Sequence, residues 1–130
     1  IKMDKCIAIP HLGASTEEAE ENCAVMAVKE IMDYLENGNI KNSVNFPECM
    51  LDRSGNRRLI IANKNAPGMI EKITHLLAEA SINIADMLNK SKGNIAYNII
   101  DVDKKVIDES IREKLLAIDG IFMVRIIQAE

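Results

Sequence analysis

The chain has 130 residues, 28% of them charged and 3% aromatic, with a formal net charge of −4 at pH 7. This acidic balance without a basic block argues against nucleic acid or an anionic membrane as the main partner, and the sequence has no apolar run near the ~20 residues that span a bilayer. Cys6, Cys23 and Cys49 are widely spaced, which is typical of reduced thiols in a cytoplasmic protein, and no metal site is predicted because no Cys-x-x-Cys motif accompanies the two histidines.

The chain begins with a short predicted strand and a loop that carries a histidine. Residues 6–9 are an apolar run stopped by Pro10, which is typical of a buried strand. His11 would therefore follow the carboxyl end of a strand and precede a helix, where ligands commonly meet α/β sheets. Imidazole exchanges protons near neutral pH, so His11 is a candidate acid–base group. The alternative is a loop histidine that only hydrogen-bonds to its neighbours.

A long amphipathic helix is predicted next. Ser15 and Glu18 fit the capping-box pattern, in which Ser15 accepts from the backbone N–H of Glu18. The helical spacing continues to about Asn37, and Gly38 is suited to the left-handed residue that ends a helix. One face is an apolar stripe that needs a partner beyond the first part of the chain. It consists of Ala24, Val28, Ile31 and Leu35.

Residues 46–56 mix proline, glycine and polar side chains, which predicts a linker between residues 1–45 and residues 57–130. The second part alternates strand and helix patterns in the order βαββαβ. Two helices on one face of a four-stranded antiparallel sheet form the ferredoxin-like arrangement, an α+β fold. Strands are predicted over residues 57–63, 81–89, 95–102 and 121–128, and helices from Pro67 to about Ala80, along Ile70, Ile73 and Leu77, and over residues 106–118.

A domain of about 70 residues is marginal for burying its own core. We therefore expect the second face of its sheet to be covered, or an edge strand to pair with another chain. Either solution removes apolar surface or unpaired backbone groups from water, and on these physical grounds we expect the domain to dimerise.

Three asparagines mark a candidate binding site in this second part. Asn63 and Asn65 close its first strand and Asn83 opens its second, and we expect the three to lie close together at the N-terminus of the first helix of the domain. Free N–H groups of a helix N-terminus favour a carboxylate. Asparagine amides both donate and accept, which suits a zwitterionic amino acid. The alternative is that the asparagines only cap turns.

Two parts of the sequence resemble one enzyme family. Residues 9–19, IPHLGASTEEA, closely resemble the end of the catalytic region of D-3-phosphoglycerate dehydrogenases, which are NAD-dependent D-2-hydroxyacid dehydrogenases, and the resemblance continues through residues 44–47. Residues 57–130 resemble the ACT domain, a small βαββαβ regulatory module, on the NAPG motif of residues 65–68 and the SINI motif of residues 81–84.

The resemblance implies a catalytic role for the loop after the first predicted strand. His11 matches the histidine that exchanges a proton with the substrate oxygen during hydride transfer. Together with Leu12, Gly13 and Ala14, it matches the loop that passes the nicotinamide of NAD. The Gly-rich dinucleotide loop, the catalytic arginine and the glutamate that orients the histidine have no counterpart among these residues. We therefore expect the chain to be a fragment of a longer oxidoreductase and to be inactive alone.

The resemblance also implies a regulatory ligand. Asn63, Asn65 and Asn83 match the L-serine contacts of feedback-inhibited bacterial enzymes, which bind serine between two ACT domains across a dimer axis. The resemblance implies a homodimer through these domains and a tetramer for the parent enzyme. The first position is commonly histidine in those enzymes, so another small amino acid is an alternative effector here. A stand-alone ACT module and a fragment of another D-2-hydroxyacid dehydrogenase are alternative identities.

Overall fold

A computed structural model describes residues 7–128 of the chain. The chain divides between Met32 and Asp33 into two compact units. Cys6, where the first predicted strand begins, lies outside the described residues. Within the described part of the chain, no helix combines the length and the apolar character needed to cross a membrane.

The first unit contains the histidine loop and the start of the long helix. Residues 7–10 are exposed and belong to no regular element, so the strand predicted there is not found in its described part. A strand needs a neighbouring strand for its backbone hydrogen bonds. Within the described part of the chain, no strand pairs with residues 7–10. Helix α1 spans Glu17–Asn37. The backbone N–H of Ala19 donates to Thr16 Oγ1 at 3.2 Å, so the capping residue is Thr16 rather than Ser15.

The second unit is built on a four-stranded antiparallel sheet in the order β2-β3-β1-β4, which leaves β2 and β4 as its edges. The chain order is βαββαβ, and the prediction of a ferredoxin-like α+β fold is confirmed. The elements are β1 Arg57–Lys64, α2 Met69–Glu79, β2 Ile84–Lys92, β3 Ile95–Val102, α3 Glu109–Leu116 and β4 Ile121–Gln128.

Two predicted boundaries differ from the structure. Strand β2 begins and ends three residues later than predicted, and only Gly93 and Asn94 remain for the turn into β3. Gly93 has a φ of 58°, the left-handed conformation that such a short hairpin turn requires. Helix α3 begins later than predicted because the Asp108 side chain accepts from the backbone N–H of Ser110 at 2.7 Å and caps it there.

Helices α2 and α3 cover one face of the sheet and form the main core with it. Leu59 and Ile61 of β1 are fully buried against Ile73 and Leu77 of α2 and Leu115 of α3. The buried stripe of α2 begins at Met69, whereas the predicted Ile70 is 46% exposed. Helix α2 starts at Met69, and its buried residues recur every fourth position, at Met69, Ile73 and Leu77.

The residues that precede β1 cover the second face of the sheet. Gly38 ends α1 with a φ of 72°. Ile40 and Cys49 then form an isolated antiparallel bridge, and both are buried against Ile60 and Tyr97. This face of the sheet is therefore covered by a segment of the same chain. The domain boundary at residues 46–56 stays a prediction.

Candidate functional site

Asn63 lies at the end of β1 on the helix-covered face and is only 2% exposed. Its Nδ2 donates to the carbonyl oxygen of Lys64 at 2.7 Å, and its Oδ1 accepts from Asn98 Nδ2 at 2.7 Å. The amide is therefore engaged at both ends by the chain itself. This first predicted site residue is held in one orientation and is nearly closed to solvent.

Asn98 and Asn89 extend these contacts across the sheet, and sequence reasoning missed both. Asn98 is fully buried in β3, and its Nδ2 also donates to the carbonyl oxygen of Ile61 at 3.0 Å. Asn89 Nδ2, on the edge strand β2, donates to Asn98 Oδ1 at 2.6 Å. We call Asn89, Asn98 and Asn63 the amide relay. A signal that could have revealed it is an amide at position 98 of a strand that is otherwise mostly apolar.

Asn65 lies beside the relay but on the surface. Its Nδ2 donates to the carbonyl oxygen of Gly93 at 3.0 Å, and its backbone N–H donates to that of Asn94 at 2.8 Å. These bonds fasten the loop before α2 to the turn between β2 and β3. Gly68, the N-cap of α2, contributes no side-chain cap, so N–H groups of the first helical turn are available at this end of the sheet.

Asn83 lies at the opposite end of the sheet, so the expectation that the three asparagines cluster within one chain is wrong. Helix α2 carries the chain back along the sheet before β2 begins. Ile84 therefore pairs with Val102 at the far end of β3, whereas Lys92 pairs with Ile95 near the relay. A strand of this length separates the two ends by roughly 25 Å.

Asn83 itself is exposed and is paired with a carboxylate. Its Nδ2 donates to Asp103 Oδ2 at 2.6 Å, and its backbone carbonyl accepts from the N–H of Asp103 at 3.2 Å. The amide oxygen of Asn83 and the carboxylate of Asp103 thus form a small acceptor group. Such a group matches an ammonium ion, in contrast to the donors near Asn65.

A buried ion pair occupies the opposite face of the sheet and was also missed from the sequence. Arg58 Nε lies 2.7 Å from Asp101 Oδ1, and Arg58 Nη2 lies 2.8 Å from Asp101 Oδ2. The guanidinium also donates to three backbone carbonyls, those of Asn37, Leu51 and Asp52. The pair therefore joins the end of α1 and the residues before β1 to the sheet.

The pKa of Asp101 results from two opposed effects. Burial acts to raise it, but hydrogen bonds from the Arg58 guanidinium and from the backbone N–H and hydroxyl of Ser54 outweigh burial. The pKa of Asp101 is therefore held below its ordinary value, and the carboxylate is charged at neutral pH. A charged, hydrogen-bonded partner of this kind satisfies the buried guanidinium.

The C-terminal end of α1 receives further donors from the sheet. Tyr97 Oη donates to the carbonyl oxygen of Gly38 at 2.7 Å. The guanidinium of Arg125 lies 4.7 Å from the centre of the Tyr34 ring and donates to the carbonyls of Tyr34 and Leu35. The last turn of α1 contains no basic residue of its own, so Arg58 and Arg125 supply the positive charge that suits this end of a helix.

The predicted catalytic loop in the first unit is open to solvent. His11 is exposed, Leu12 is 54% exposed, and Gly13 has no atom within 4 Å of the position of a Cβ. The backbone N–H of Ser15 donates to the carbonyl oxygen of Leu12 at 3.1 Å, while Ala14 is exposed as well. These residues form no cradle that could hold a dinucleotide, so they do not constitute an NAD site by themselves.

A shallow depression of about 390 Å³ lies at the β4 edge of the second unit, away from the relay. It contains none of the predicted site residues. Among residues 7–128, no group of three or more His, Cys, Asp or Glu side chains is arranged to hold a metal ion. The depression is lined by Glu36, Asn37, Arg53, Ile127 and Gln128.

Comparison with curated proteins relates the chain to one enzyme. It is 33% identical over 130 residues to D-3-phosphoglycerate dehydrogenase of Escherichia coli K12 and 35% identical over 128 residues to that of Haemophilus influenzae. Each match covers 97% of this chain and 31% of the relative, at its C-terminal end. D-3-phosphoglycerate dehydrogenase 2 of Saccharomyces cerevisiae is 31% identical over 107 residues, which is 78% of this chain and 22% of the yeast protein.

Among solved structures, an unknown protein from Galdieria sulphuraria matches with a TM-score of 0.50 at 18% identity, over 57% of this chain and 44% of that chain. The ACT domain of GTP pyrophosphokinase from Chlorobium tepidum matches with a TM-score of 0.48 at 22% identity, over 55% of this chain and 95% of that domain. No protein-family model matches the chain. The first of these similarities supports the fold alone.

Proposed function

Because this chain is homologous over 97% of its length to the C-terminal 31% of D-3-phosphoglycerate dehydrogenases, we propose that it is the regulatory C-terminal part of such an enzyme. Its second unit senses a small amino acid, L-serine in the first instance, as an ACT domain. The parent enzyme oxidises 3-phosphoglycerate with NAD in L-serine biosynthesis. The homology over both units, rather than over the sheet alone, carries this proposal.

The ligand site forms between two copies of the chain that join along their β2 edges. An antiparallel pair about a two-fold axis at Leu88 places Asp86 of each copy opposite Lys90 of the other. Both side chains are exposed in the single chain, and oppositely charged cross-strand neighbours favour this register. The added strand also satisfies the unpaired backbone groups of the edge.

This arrangement brings together the asparagines that the single chain keeps apart. With the two-fold axis at Leu88, Asn83 of one copy lies opposite Gly93 of the other. The carbonyl oxygen of Gly93 is the group that accepts from Asn65. Asn65 of one copy and Asn83 of the second copy therefore share one crevice in the seam, beside the end of β1 that carries Asn63. Symmetry produces two identical crevices per dimer.

The two sides of each crevice offer complementary groups to a zwitterion. Asn65 and the first-turn N–H groups of α2 provide donors and the positive end of a helix dipole, which suit the ligand carboxylate. Asn83 Oδ1 and the carboxylate of Asp103 from the second copy provide acceptors, which suit the ammonium group. A ligand that contacts both copies stabilises one relative placement of the two chains and so couples to catalysis elsewhere in the parent enzyme.

Calorimetric titration of L-serine into the 130-residue chain, combined with sedimentation of the same samples, tests the sensing part of the proposal. We expect a dimer and one serine bound per chain, with the dimer strengthened by serine. A chain that stays monomeric at high concentration and releases no heat on titration with L-serine, glycine or L-alanine would refute it.

The histidine loop has its role in the parent enzyme. There, His11 exchanges the proton of the substrate hydroxyl, and Leu12, Gly13 and Ala14 pass the nicotinamide, which accepts the hydride. The isolated chain lacks a dinucleotide-binding domain, so we expect no NADH from 3-phosphoglycerate and NAD. The full-length enzyme should produce NADH and lose most of that activity with His11→Asn. We propose a cytoplasmic location for the parent enzyme, in keeping with the free thiols of Cys23 and Cys49.

A further inference from the structure

We propose that Asn98 is a positioning residue that fixes the amide of Asn63 as a hydrogen-bond donor toward the carboxylate of the effector. The inference rests on the proposed amino-acid site and adds a residue to it that contacts no ligand. Asn98 is fully buried in β3, and it lies between Asn63 and the edge strand β2, where the second copy would join.

A backbone carbonyl determines the direction of the amide relay. Asn98 Nδ2 is 3.0 Å from the carbonyl oxygen of Ile61, which can only accept a hydrogen bond. The nitrogen end of the Asn98 amide must therefore face β1. Its other N–H then reaches Asn63 at 2.7 Å, so the group that Asn63 turns toward Asn98 must be its oxygen.

The opposite end of the relay supports the same direction. Asn98 Oδ1 accepts from Asn89 Nδ2 at 2.6 Å, so reversing the Asn98 amide would place two nitrogen donors against each other. With both N–H groups donated and its oxygen occupied, Asn98 has every hydrogen bond it needs in one orientation only. Aligned amides of this kind also polarise one another and strengthen the series.

The consequence for Asn63 is that it offers a donor. Its oxygen is taken by Asn98, and one N–H is taken by the carbonyl of Lys64 at 2.7 Å. Within the part of the chain that the structure describes, its second N–H has no partner. Asn63 lies at the end of the sheet where α2 begins, so the proposal assigns this second N–H to the carboxylate of the zwitterion.

The test compares two ligands on three forms of the full chain. L-serine and L-serinamide share the ammonium and hydroxyl groups but differ in the carboxylate. In Asn98→Leu, the donor to Asn63 is lost, and only the bond to the carbonyl of Lys64 still orients the amide of Asn63. We expect affinity for L-serine to fall by about tenfold or more, the effect of a lost hydrogen bond to a charged group, and affinity for L-serinamide to change less than about threefold.

His75→Ala is the control, because it removes a polar side chain from the exposed side of α2 and leaves all three amides of the relay in place. We expect both ligands to keep their affinity within about threefold in this variant. If Asn98→Leu does not fold, Asn98→Ser replaces it. A serine hydroxyl donates a single hydrogen bond, so the expected loss for L-serine is about three- to tenfold.

The side-chain amide resonances of Asn63 in the ligand-free protein provide the second readout, and we expect them to shift in Asn98→Leu and not in His75→Ala. An equal loss for both ligands, unchanged L-serine affinity, or unshifted Asn63 resonances in Asn98→Leu would overturn the inference alone. If the wild-type chain binds no L-serine, the proposed sensing function fails, and this inference fails with it.

Discussion

Arg58 and Asp101 form a two-point ion pair on the sheet face opposite α2 and α3, with Nε–Oδ1 and Nη2–Oδ2 distances of 2.7 and 2.8 Å. Their side chains are 0% and 1% exposed. Through the carbonyl of Asn37, the same guanidinium holds the end of α1. Within the second unit, the pair therefore connects the residue that ends α1 to the sheet that is proposed to sense the effector.

Removing one partner of this pair should strongly destabilise the second unit. Asp101→Ala leaves a buried guanidinium without its counter-ion, which costs about 3–5 kcal/mol in the free energy of unfolding. Urea denaturation followed by circular dichroism measures it. Arg57→Met, at the neighbouring and partly exposed position of β1, is the control and should stay within about 0.5 kcal/mol of wild type. A cost below about 1 kcal/mol for Asp101→Ala would contradict a structural role of the pair.

The same carboxylate should make stability depend on acid pH. The pKa of Asp101 is lower in the folded chain than in the unfolded chain, because the bonds from Arg58 and Ser54 outweigh the opposing effect of burial. Its contribution is therefore complete above the unfolded pKa of about 3.9 and is lost as the pH falls through the lower folded value. Urea unfolding between neutral and strongly acid pH should show a steeper acid loss for wild type than for Asp101→Asn. Parallel curves would exclude Asp101 as the cause.

Gly38 should be hard to replace, because two separate effects act there. Its φ of 72° disfavours any side chain, and a Cβ would overlap the side chain of Ile60. Gly68 has a similar φ of 80° but open space around the position of a Cβ. Gly68→Ala should therefore cost about 1–2 kcal/mol in stability and Gly38→Ala clearly more. Equal costs in thermal or urea unfolding would show that Ile60 yields without strain.

Asn83→Ala should weaken L-serine binding by about 1–3 kcal/mol, the effect of leaving a polar partner unpaired. If the crevice is formed by two copies, mixing Asn83→Ala chains with Asn65→Ala chains should regenerate one intact site per mixed dimer, because the two residues come from different copies. His75→Ala, on the exposed side of α2, is the control and should bind as wild type. Calorimetry that finds no binding in the mixed sample would place both residues outside a shared site.

Cys49 should be protected from thiol reagents in the folded chain. It is 1% exposed, and burial raises its pKa to about 11 despite the opposing charges of Lys90 and Arg58. The thiolate is the reactive form, so at pH 8 we expect the exposed Cys23 to react at least about 100-fold faster than Cys49. The reaction rates of Cys23 and Cys49 are measured separately in variants that keep only one of these cysteines, with a chromogenic disulfide as the reagent. Similar rates would mean that residues 38–56 open readily from the sheet.

The sequence alone determined the element order and the fold of the second unit. The mainly apolar runs at residues 95–102 and 121–128 predict strands, and the spacing of Ile73 and Leu77 predicts a helix, because both patterns depend on residues close together in the chain. The errors at Thr16, Met69 and Ile84 are small shifts at element ends, where several neighbouring residues can serve as the boundary.

Only the tertiary structure decided which polar side chains meet. Asn83 lies far from Asn65 because α2 returns the chain to the opposite end of the sheet, and no local pattern records that path. Asn98 and Arg58 lie in strands whose other residues are mostly apolar. Their hydrogen-bond partners, Asn63 and Asp101, are 35 and 43 residues away in the sequence. Hydrogen bonds between distant segments depend on strand order and register, which arise from packing of the whole sheet rather than from neighbours in sequence.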